Sequence, residues 1–134
     1  MLKRCIVSHG LLAKGMVDTL TLFLGEHQPY DYFCAFTGDN TDFVQQIEDY
    51  INTAAPNDII LFFTDILGGS VNKEISKFLY MPNIYILSGF NFPMLLQFAA
   101  LQDTVDAIQL RLLTSCAKES IVYVNDFENA RNST

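Results

Sequence analysis

Two polar residues that follow apolar runs are the best candidates for chemistry in this sequence. The run Met1–Val7 leads to His9, and the run Ile59–Thr64 leads to Asp65. A neutral imidazole is a competent nucleophile near neutral pH, because the ordinary pKa of histidine is about 6.5. A carboxylate that binds one ring nitrogen fixes the tautomer and leaves the other nitrogen free to attack. We therefore expect His9 to act as a nucleophile that Asp65 orients.

A Gly-Gly-Ser sequence follows the second apolar run and is suited to holding a phosphoryl group. Gly68, Gly69 and Ser70 present backbone N–H groups and a hydroxyl at the predicted start of a helix, and Gly10 directly follows the histidine. Such a helix start is a natural seat for a phosphate. The pattern matches neither the Walker phosphate loop nor the dinucleotide-binding fingerprint. These four residues are the candidate phosphoryl-binding set, although Gly-Gly-Ser also serves any tight turn.

Each of the two central residues also has a purely structural interpretation. A single histidine such as His9 often does no more than bond a nearby backbone group, and Asp65 can cap the glycine turn or the helix behind it. A nucleophile elbow with a serine, histidine and acid order is absent from the sequence. The two acidic residues that follow the first strand of a phospho-aspartate receiver are also absent. Asp65 is accordingly not a candidate for phosphorylation.

A third segment, Asn91-Phe92-Pro93-Met94-Leu95, follows the fourth predicted strand. Its apolar side chains belong either to the core or to a surface on which a protein partner docks. Both interpretations stay open from the residues alone. The candidate docking residues are Asn91, Phe92, Pro93 and Met94.

Strand-like and helix-like segments alternate along the chain. Strands are predicted at Met1–Val7, Tyr30–Thr37, Asp58–Thr64 and Ile84–Ser88. Helices are predicted at 11–24, at 43–51 behind a cap at Asn40 or Thr41, from Ser70 or Asn72 to Leu79, at 94–100 and at 104–120. This alternation predicts a single doubly wound α/β domain over residues 1–134 with a mainly parallel sheet. Ligands bind beyond the carboxyl ends of such strands, where His9 and Asp65 both lie.

The composition excludes several classes of function. The 134 residues are 50% hydrophobic and 17% charged, with a net charge of −7, and a nucleic-acid surface should instead be basic. Apolar runs of the roughly 18 residues needed to cross a bilayer are absent, as is a secretory signal. Cys5, Cys34 and Cys116 show no metal-ligand spacing with each other or with the histidines. We expect a cytoplasmic protein without a metal or another cofactor, whose acidic surface suits a basic protein partner.

Taken together, three motifs resemble the IIA domain of the mannose-class (mannose/fructose/sorbose) sugar phosphotransferase system. They are Ile6-Val7-Ser8-His9-Gly10, Thr64-Asp65-Ile66-Leu67-Gly68-Gly69-Ser70 and Gly89-Phe90-Asn91-Phe92-Pro93-Met94-Leu95. Their order and spacing follow the family, and the resemblance covers essentially the whole chain. It implies a doubly wound α/β fold.

The resemblance also implies a role for each motif. His9 would accept a phosphoryl group from the phosphocarrier protein HPr and pass it to a IIB component, and the membrane components IIC and IID would import the sugar. Asp65 would bond the ring nitrogen opposite the phosphorylated one, and Ser70 would lie beside the phosphoryl group. The subunits would pair as a homodimer by exchanging a C-terminal strand, here the β-prone run Ile121–Val124.

The chain departs from the family pattern at Ile66, at Leu67, where an aromatic residue is usual, and at Val71, where proline is common. Two alternatives therefore stay open. One is the related phosphotransferase subunit of dihydroxyacetone kinase, which shares this domain type but serves a kinase partner. The other is a regulatory interaction module of the same fold that relays no phosphate, which Ile66 and Val71 keep in consideration.

Overall fold

One sheet of four parallel strands forms the centre of the protein. The structure is a computed structural model that describes residues 1–38 and 42–127. The strands are β1 (Leu2–His9), β2 (Tyr30–Ala35), β3 (Ile59–Thr64) and β4 (Ile84–Ser88), in the order β2-β1-β3-β4. The helices are α1 (Leu12–Leu24), α2 (Phe43–Asn52), α3 (Ser70–Ser76), α4 (Phe92–Ala99) and α5 (Ala107–Glu119). The prediction of an α/β domain with a parallel sheet is confirmed.

Both faces of the sheet are covered by helices. On β1, Ile6 points to a core shared with α1, α4 and α5, whereas Cys5 and Val7 point to a core shared with α2 and α3. Because successive strand residues face opposite sides, an apolar run without alternation is what a strand buried on both faces requires. Ile59–Thr64 meets the same requirement in β3, where all residues after Ile59 are buried.

The order of the strands determines where in the sheet His9 and Asp65 come together. From β1 the chain first adds β2 on one side and then β3 on the other, so the direction of winding reverses between β1 and β3. The helices that follow these two strands therefore leave on opposite faces and open a crevice at their carboxyl ends. Val7 of β1 pairs with Thr64 of β3. Because His9 and Asp65 follow these two residues closely, both lie at the same rim of the sheet.

The ends of the first two strands differ from the sequence-based bounds. β1 continues through His9, whose Cα pairs with Ala35 of β2. β2 stops at Ala35 rather than at Thr37, because Phe36 has a φ of 60° and leaves the extended conformation.

Side-chain caps decide where the last two helices begin. Asn91 accepts a hydrogen bond from the Met94 N–H at 2.9 Å, so α4 begins at Phe92 and not at Met94. Asp106 accepts from the Gln109 N–H at 2.8 Å, so α5 begins at Ala107 and not at Thr104. The predicted caps of α2, Asn40 and Thr41, lie outside the described residues.

The expected C-terminal strand is not present in this single chain. Ile121–Tyr123 belong to no element, and residues 124–127 form a helical turn. An extended segment needs a sheet edge with which to exchange hydrogen bonds. The two edges, β2 and β4, pair with no such segment within the described residues. No helix in the described part of the chain has the length and apolar character to cross a membrane.

Candidate functional site

His9 and Asp65 meet at the rim of the sheet. The Nδ1 atom of His9 lies 2.9 Å from Oδ2 of Asp65, and the backbone N–H of His9 donates to the same oxygen at 2.8 Å. An ionised carboxylate can only accept, so the neutral ring carries its proton on Nδ1 and keeps the lone pair on Nε2. The His9 side chain is 38% exposed and that of Asp65 only 8%. Nε2 is therefore a nucleophilic atom accessible at the surface.

Asp65 is held as an anion by its donors. Its second oxygen, Oδ1, accepts from the Ile66 N–H at 3.0 Å. Burial raises the pKa of Asp65, but the hydrogen bonds from the backbone and ring of His9 lower it more, and the net effect is a pKa below the ordinary value of 3.8. The carboxylate can thus balance positive charge that develops on the ring.

This lowered pKa predicts an acid-dependent part of the stability. In the unfolded chain Asp65 has a pKa near 3.8, so the ionised form stabilises the fold at higher pH and this contribution is lost as pH falls through the lower folded pKa. The difference in unfolding free energy between the native chain and Asp65→Asn should therefore shrink between about pH 6 and about pH 3. Urea denaturation at both pH values measures it, and a constant difference would contradict the prediction.

Ser70 and Gly69 contact the other side of the imidazole. The Ser70 hydroxyl lies 3.1 Å from Nε2 of His9 and donates a hydrogen bond to the Nε2 lone pair. A Cβ added to Gly69 would lie 3.4 Å from Cε1 of His9, so the backbone of this turn passes close to the ring. Gly68 has a φ of 77°, which glycine adopts without steric cost. The two glycines let the turn pass close to the histidine.

A buried polar network fixes the glycine turn. Asn72 accepts from the Gly68 N–H at 3.2 Å and donates to the Thr64 hydroxyl at 3.2 Å. Thr64 in turn donates to the Ser88 hydroxyl at 2.9 Å, so α3 is tied to the ends of β3 and β4. Neither motif spacing nor periodicity indicates this network, because Thr64 and Ser88 read as ordinary strand ends.

Gly10 forms a turn after β1, and its backbone N–H is engaged within the chain. Its φ is 59°, and its N–H donates to the Ala35 carbonyl at 2.8 Å. The N–H of Gly68 is engaged as well, through Asn72. The N–H of Gly69 also donates within the chain, to the Ile66 carbonyl at 3.3 Å. All three glycine N–H groups of the predicted phosphoryl-binding set therefore have acceptors within this structure, and the Ser70 hydroxyl is the member of the set that contacts Nε2.

Phe36 covers the histidine ring, a contact that no local sequence pattern predicts. Its ring stacks on His9 with a centroid distance of 5.4 Å and an angle of 29° between the planes, and it meets the buried Phe43 edge-on at 5.2 Å. Among the non-glycine residues described, Phe36 is the one with positive φ. A strained backbone of this kind costs roughly 1–3 kcal/mol and tends to occur at functional sites.

The predicted docking residues do not form one surface. Met94 is 4% exposed and packs in the core, so it is not available to a partner. Asn91 caps α4 and donates to the Ala117 carbonyl at 3.0 Å, which ties α4 to the end of α5. Phe92 is half-buried against Phe23, and Pro93 is exposed.

Large exposed apolar side chains instead follow the strand ends near His9 and Asp65. They are Leu11, Phe36, Ile66 and Leu67, the last 79% exposed. The sequence contained a signal for them, since Leu11, Ile66 and Leu67 each lie within two residues of His9 or Asp65. Within the described residues, no group of three histidine, cysteine or acidic side chains could hold a metal ion.

Several known proteins share the fold of this chain. A crystal structure from Klebsiella pneumoniae, assigned as a phosphoenolpyruvate-dependent sugar phosphotransferase system (PTS) permease, is 32% identical, with a TM-score of 0.81, and 92% of this chain matches 91% of that one. The PTS IIA protein associated with the fucose utilization operon of Streptococcus pneumoniae is 25% identical over 93% and 94% of the two chains, with a TM-score of 0.80.

A PTS component EIIA from Streptococcus agalactiae shares the fold at 24% identity, with a TM-score of 0.79 over 94% of this chain and 99% of that one. A comparison with curated protein sequences gives no match. Residues 4–111 match the EIIA-man family, described as the PTS system fructose IIA component. The chain therefore belongs to this family, the mannose-class IIA components of the sugar phosphotransferase system.

Proposed function

We propose that the protein is a phosphoryl carrier that accepts a phosphoryl group from HPr on His9 and passes it to a IIB component for sugar uptake. Members of its family are phosphotransferase components. The observation that carries the proposal is the contact of 2.9 Å between Nδ1 of His9 and Asp65, which leaves the lone pair on the exposed Nε2. An exposed nucleophile suits transfer between two proteins, whereas a small substrate would need a closed pocket.

The transfer step forms one bond and breaks another. The Nε2 lone pair attacks phosphorus, and the bond from phosphorus to the donor breaks, with its electron pair returning to the donor atom. The proton on Nδ1 stays in place, so the ring becomes positively charged while the phosphoryl group keeps its negative charge. Asp65 stabilises this positive ring through the hydrogen bond to Nδ1.

Ser70 is expected to assist this step. Its hydroxyl must release Nε2 when the bond to phosphorus forms, and it then lies beside the incoming phosphoryl oxygens. Ser70→Ala should slow phosphoryl acceptance about ten-fold, the effect of one lost hydrogen bond. Single-turnover labelling from phosphorylated HPr measures the rate, and Ser70→Thr, which keeps a hydroxyl, should restore most of it. Equal rates for the alanine variant and the native chain would contradict this role.

Protein partners would meet the site through the exposed apolar residues beside it. Leu11, Phe36, Ile66 and Leu67 border His9 and Asp65 and offer a surface that excludes water from the transferring group. The membrane components IIC and IID would be associated only indirectly, through IIB. We place the protein in the cytoplasm, where reducing conditions suit Cys5, Cys34 and Cys116, which form no disulfide with one another.

The test is phosphoryl transfer with purified components. The native chain is incubated with enzyme I, HPr and labelled phosphoenolpyruvate, then separated and mixed with a IIB protein. We expect acid-labile, base-stable label on the chain and its loss to IIB. A folded chain that stays unlabelled beside phosphorylated HPr would overturn the proposal. Label that discharges to no IIB would instead favour a regulatory module or a dihydroxyacetone kinase partner.

We further propose that two chains pair through their C-terminal segments. Strand β4 is an edge of the sheet, and a groove of about 570 Å³ runs between β4 and α5, lined by residues that include Tyr85, Leu87, Leu110 and Thr114. The β-prone run Ile121–Val124 is exposed in the single chain, so a second chain can supply the edge that it lacks.

Tyr123→Asp should shift this protein from dimer to monomer, because a charge in a paired apolar segment loses its hydration. Light scattering coupled to size-exclusion chromatography gives the mass in solution. The matched variant Tyr80→Asp changes another exposed tyrosine, in the turn that follows α3, and should remain dimeric. A monomeric native chain at tens of micromolar would contradict the pairing.

A further inference from the structure

The imidazole of His9 loses one of its two in-plane contacts when it is phosphorylated. In the free protein Asp65 holds Nδ1 and the Ser70 hydroxyl holds Nε2, at 2.9 Å and 3.1 Å. Once the Nε2 lone pair binds phosphorus, Nε2 can no longer accept the Ser70 hydrogen bond. The contact with Asp65 then holds the ring at one atom only. A contact with the face of the ring would help to keep the ring plane in place.

Phe36 contacts the ring through its face instead of its edge. The stacked geometry, 5.4 Å between centroids and 29° between planes, uses neither nitrogen, so a bond from Nε2 to phosphorus does not consume this contact. Phosphorylation with the proton kept on Nδ1 makes the His9 ring positively charged. A cation within about 6 Å of an aromatic centroid is attracted to the face of that ring.

The backbone at Phe36 is held in an unfavourable conformation by its surroundings. Its φ of 60° is one that glycine or asparagine adopts more readily than a bulky residue. The carbonyl of Ala35, the preceding residue, accepts a hydrogen bond from the Gly10 N–H, and Phe43 packs edge-on against the Phe36 ring. The ring is nevertheless 58% exposed, so core packing alone does not explain an aromatic residue here.

We propose that Phe36 is a positioning residue for phosphoryl transfer, whose ring fixes the plane of His9 and stabilises the charged, phosphorylated imidazole. The inference rests on the carrier function proposed above. In the step itself the bond from Nε2 to phosphorus forms as the bond from phosphorus to the donor breaks, and Phe36 exchanges no atoms. Its effect is to favour the phosphorylated side of the equilibrium, since the positive charge exists only there.

The decisive variants are Phe36→Asn and Phe36→Tyr. Asparagine tolerates the left-handed backbone, so Phe36→Asn should unfold at a temperature no lower than the native chain, while tyrosine keeps the stacked ring. We expect Phe36→Asn to reduce the equilibrium constant for phosphorylation by phosphorylated HPr about two- to five-fold. The lifetime of its phosphohistidine against hydrolysis should fall by a similar factor, and Phe36→Tyr should retain native values. Tyr80→Asn, at another exposed aromatic residue, serves as the control.

The lifetime of the phosphohistidine separates positioning from docking, because it is measured on the isolated chain after HPr is removed. If Phe36 only contacts HPr, Phe36→Asn raises the KM for phosphorylated HPr and leaves the lifetime and the equilibrium constant unchanged, which overturns the proposal. A large loss of thermal stability in Phe36→Asn, with native values for the phosphorylated fraction that stays folded, overturns it too.

A failure of the carrier function gives a different result. In that case neither HPr nor the small donor phosphoramidate labels His9 in the native chain, and the inference falls with the carrier function. If the native chain is labelled and discharges to IIB while Phe36→Asn matches it in lifetime and equilibrium, only the role of Phe36 is lost. Proton NMR gives a further check, since the His9 ring protons should move downfield in Phe36→Asn when the ring current of Phe36 is removed.

Discussion

His9→Ala is expected to abolish phosphoryl incorporation from HPr, a loss of at least about 10³-fold. The substitution removes Nε2, the atom that we propose forms the bond to phosphorus. Ser70 and Asp65, the polar side chains that contact the ring, do not replace it. Ser70 is an unactivated hydroxyl, and Asp65 still accepts from the backbone N–H groups of residue 9 and Ile66 after the ring donor is lost. The site would keep its shape but lose its nucleophile.

The chain offers a matched control for this experiment. His27 is the second of its two histidines and lies exposed in the turn after α1. His27→Gln should take up label at the native rate, whereas His9→Ala should take up none while giving a native circular dichroism spectrum. Undiminished label in His9→Ala, or loss of label in His27→Gln alone, would place the phosphoryl group elsewhere.

Asp65→Asn is the second substitution with a large expected effect, a fall in the rate of transfer of about 10²–10³-fold. The variant keeps the shape of the side chain but removes its charge and one acceptor. The fold should persist with a loss of about 1–3 kcal/mol in the free energy of unfolding, because a buried hydrogen-bonding position is left unsatisfied.

Neither orientation of the new amide satisfies all three donors. With its oxygen in the place of Oδ2, the amide nitrogen faces the N–H of Ile66, 3.0 Å away. With the amide reversed, its nitrogen faces the N–H of His9, 2.8 Å away, and Nδ1 must accept instead of donate. The ring then carries its proton on Nε2, and the lone pair needed for attack is lost.

The rate of single-turnover labelling measures this effect, and proton-detected nitrogen spectra of His9 report the tautomer directly. Asp42→Asn provides the control, because Asp42 is exposed and its side chain makes no capping hydrogen bond to α2. A native rate in Asp65→Asn, or a slow rate with the Nδ1–H tautomer unchanged, would contradict the orienting role that the geometry supports.

The sequence alone was sufficient to predict the architecture. Ile59–Thr64 is continuously apolar because both faces of β3 are covered, and such a run predicts a central parallel strand without knowledge of the neighbours. His9 and Asp65 each follow such a run. Since parallel strands end at one edge of a sheet, their types and positions were enough to predict that they lie together.

Features that depend on contacts between distant segments were not predictable in this way. The cap at Asn91 starts its helix two residues before the predicted start at Met94, and the burial of Met94 depends on how α4 packs against the sheet. The run Ile121–Val124 has the composition of a strand, but composition does not supply the sheet edge that a strand needs.

The arrangement around the imidazole was decided by the tertiary structure. Sequence spacing indicates that Asp65 can reach His9. Only the folded chain shows that one carboxylate oxygen accepts hydrogen bonds from both the backbone N–H and the ring Nδ1 of His9. Phe36 is 27 residues from His9 in the chain, and its unusual φ reflects support from Phe43 and the turn at Gly10. Local sequence determines which residue ends a strand. Which side chain covers the His9 ring depends instead on how separate segments pack together, and no local sequence pattern indicates this.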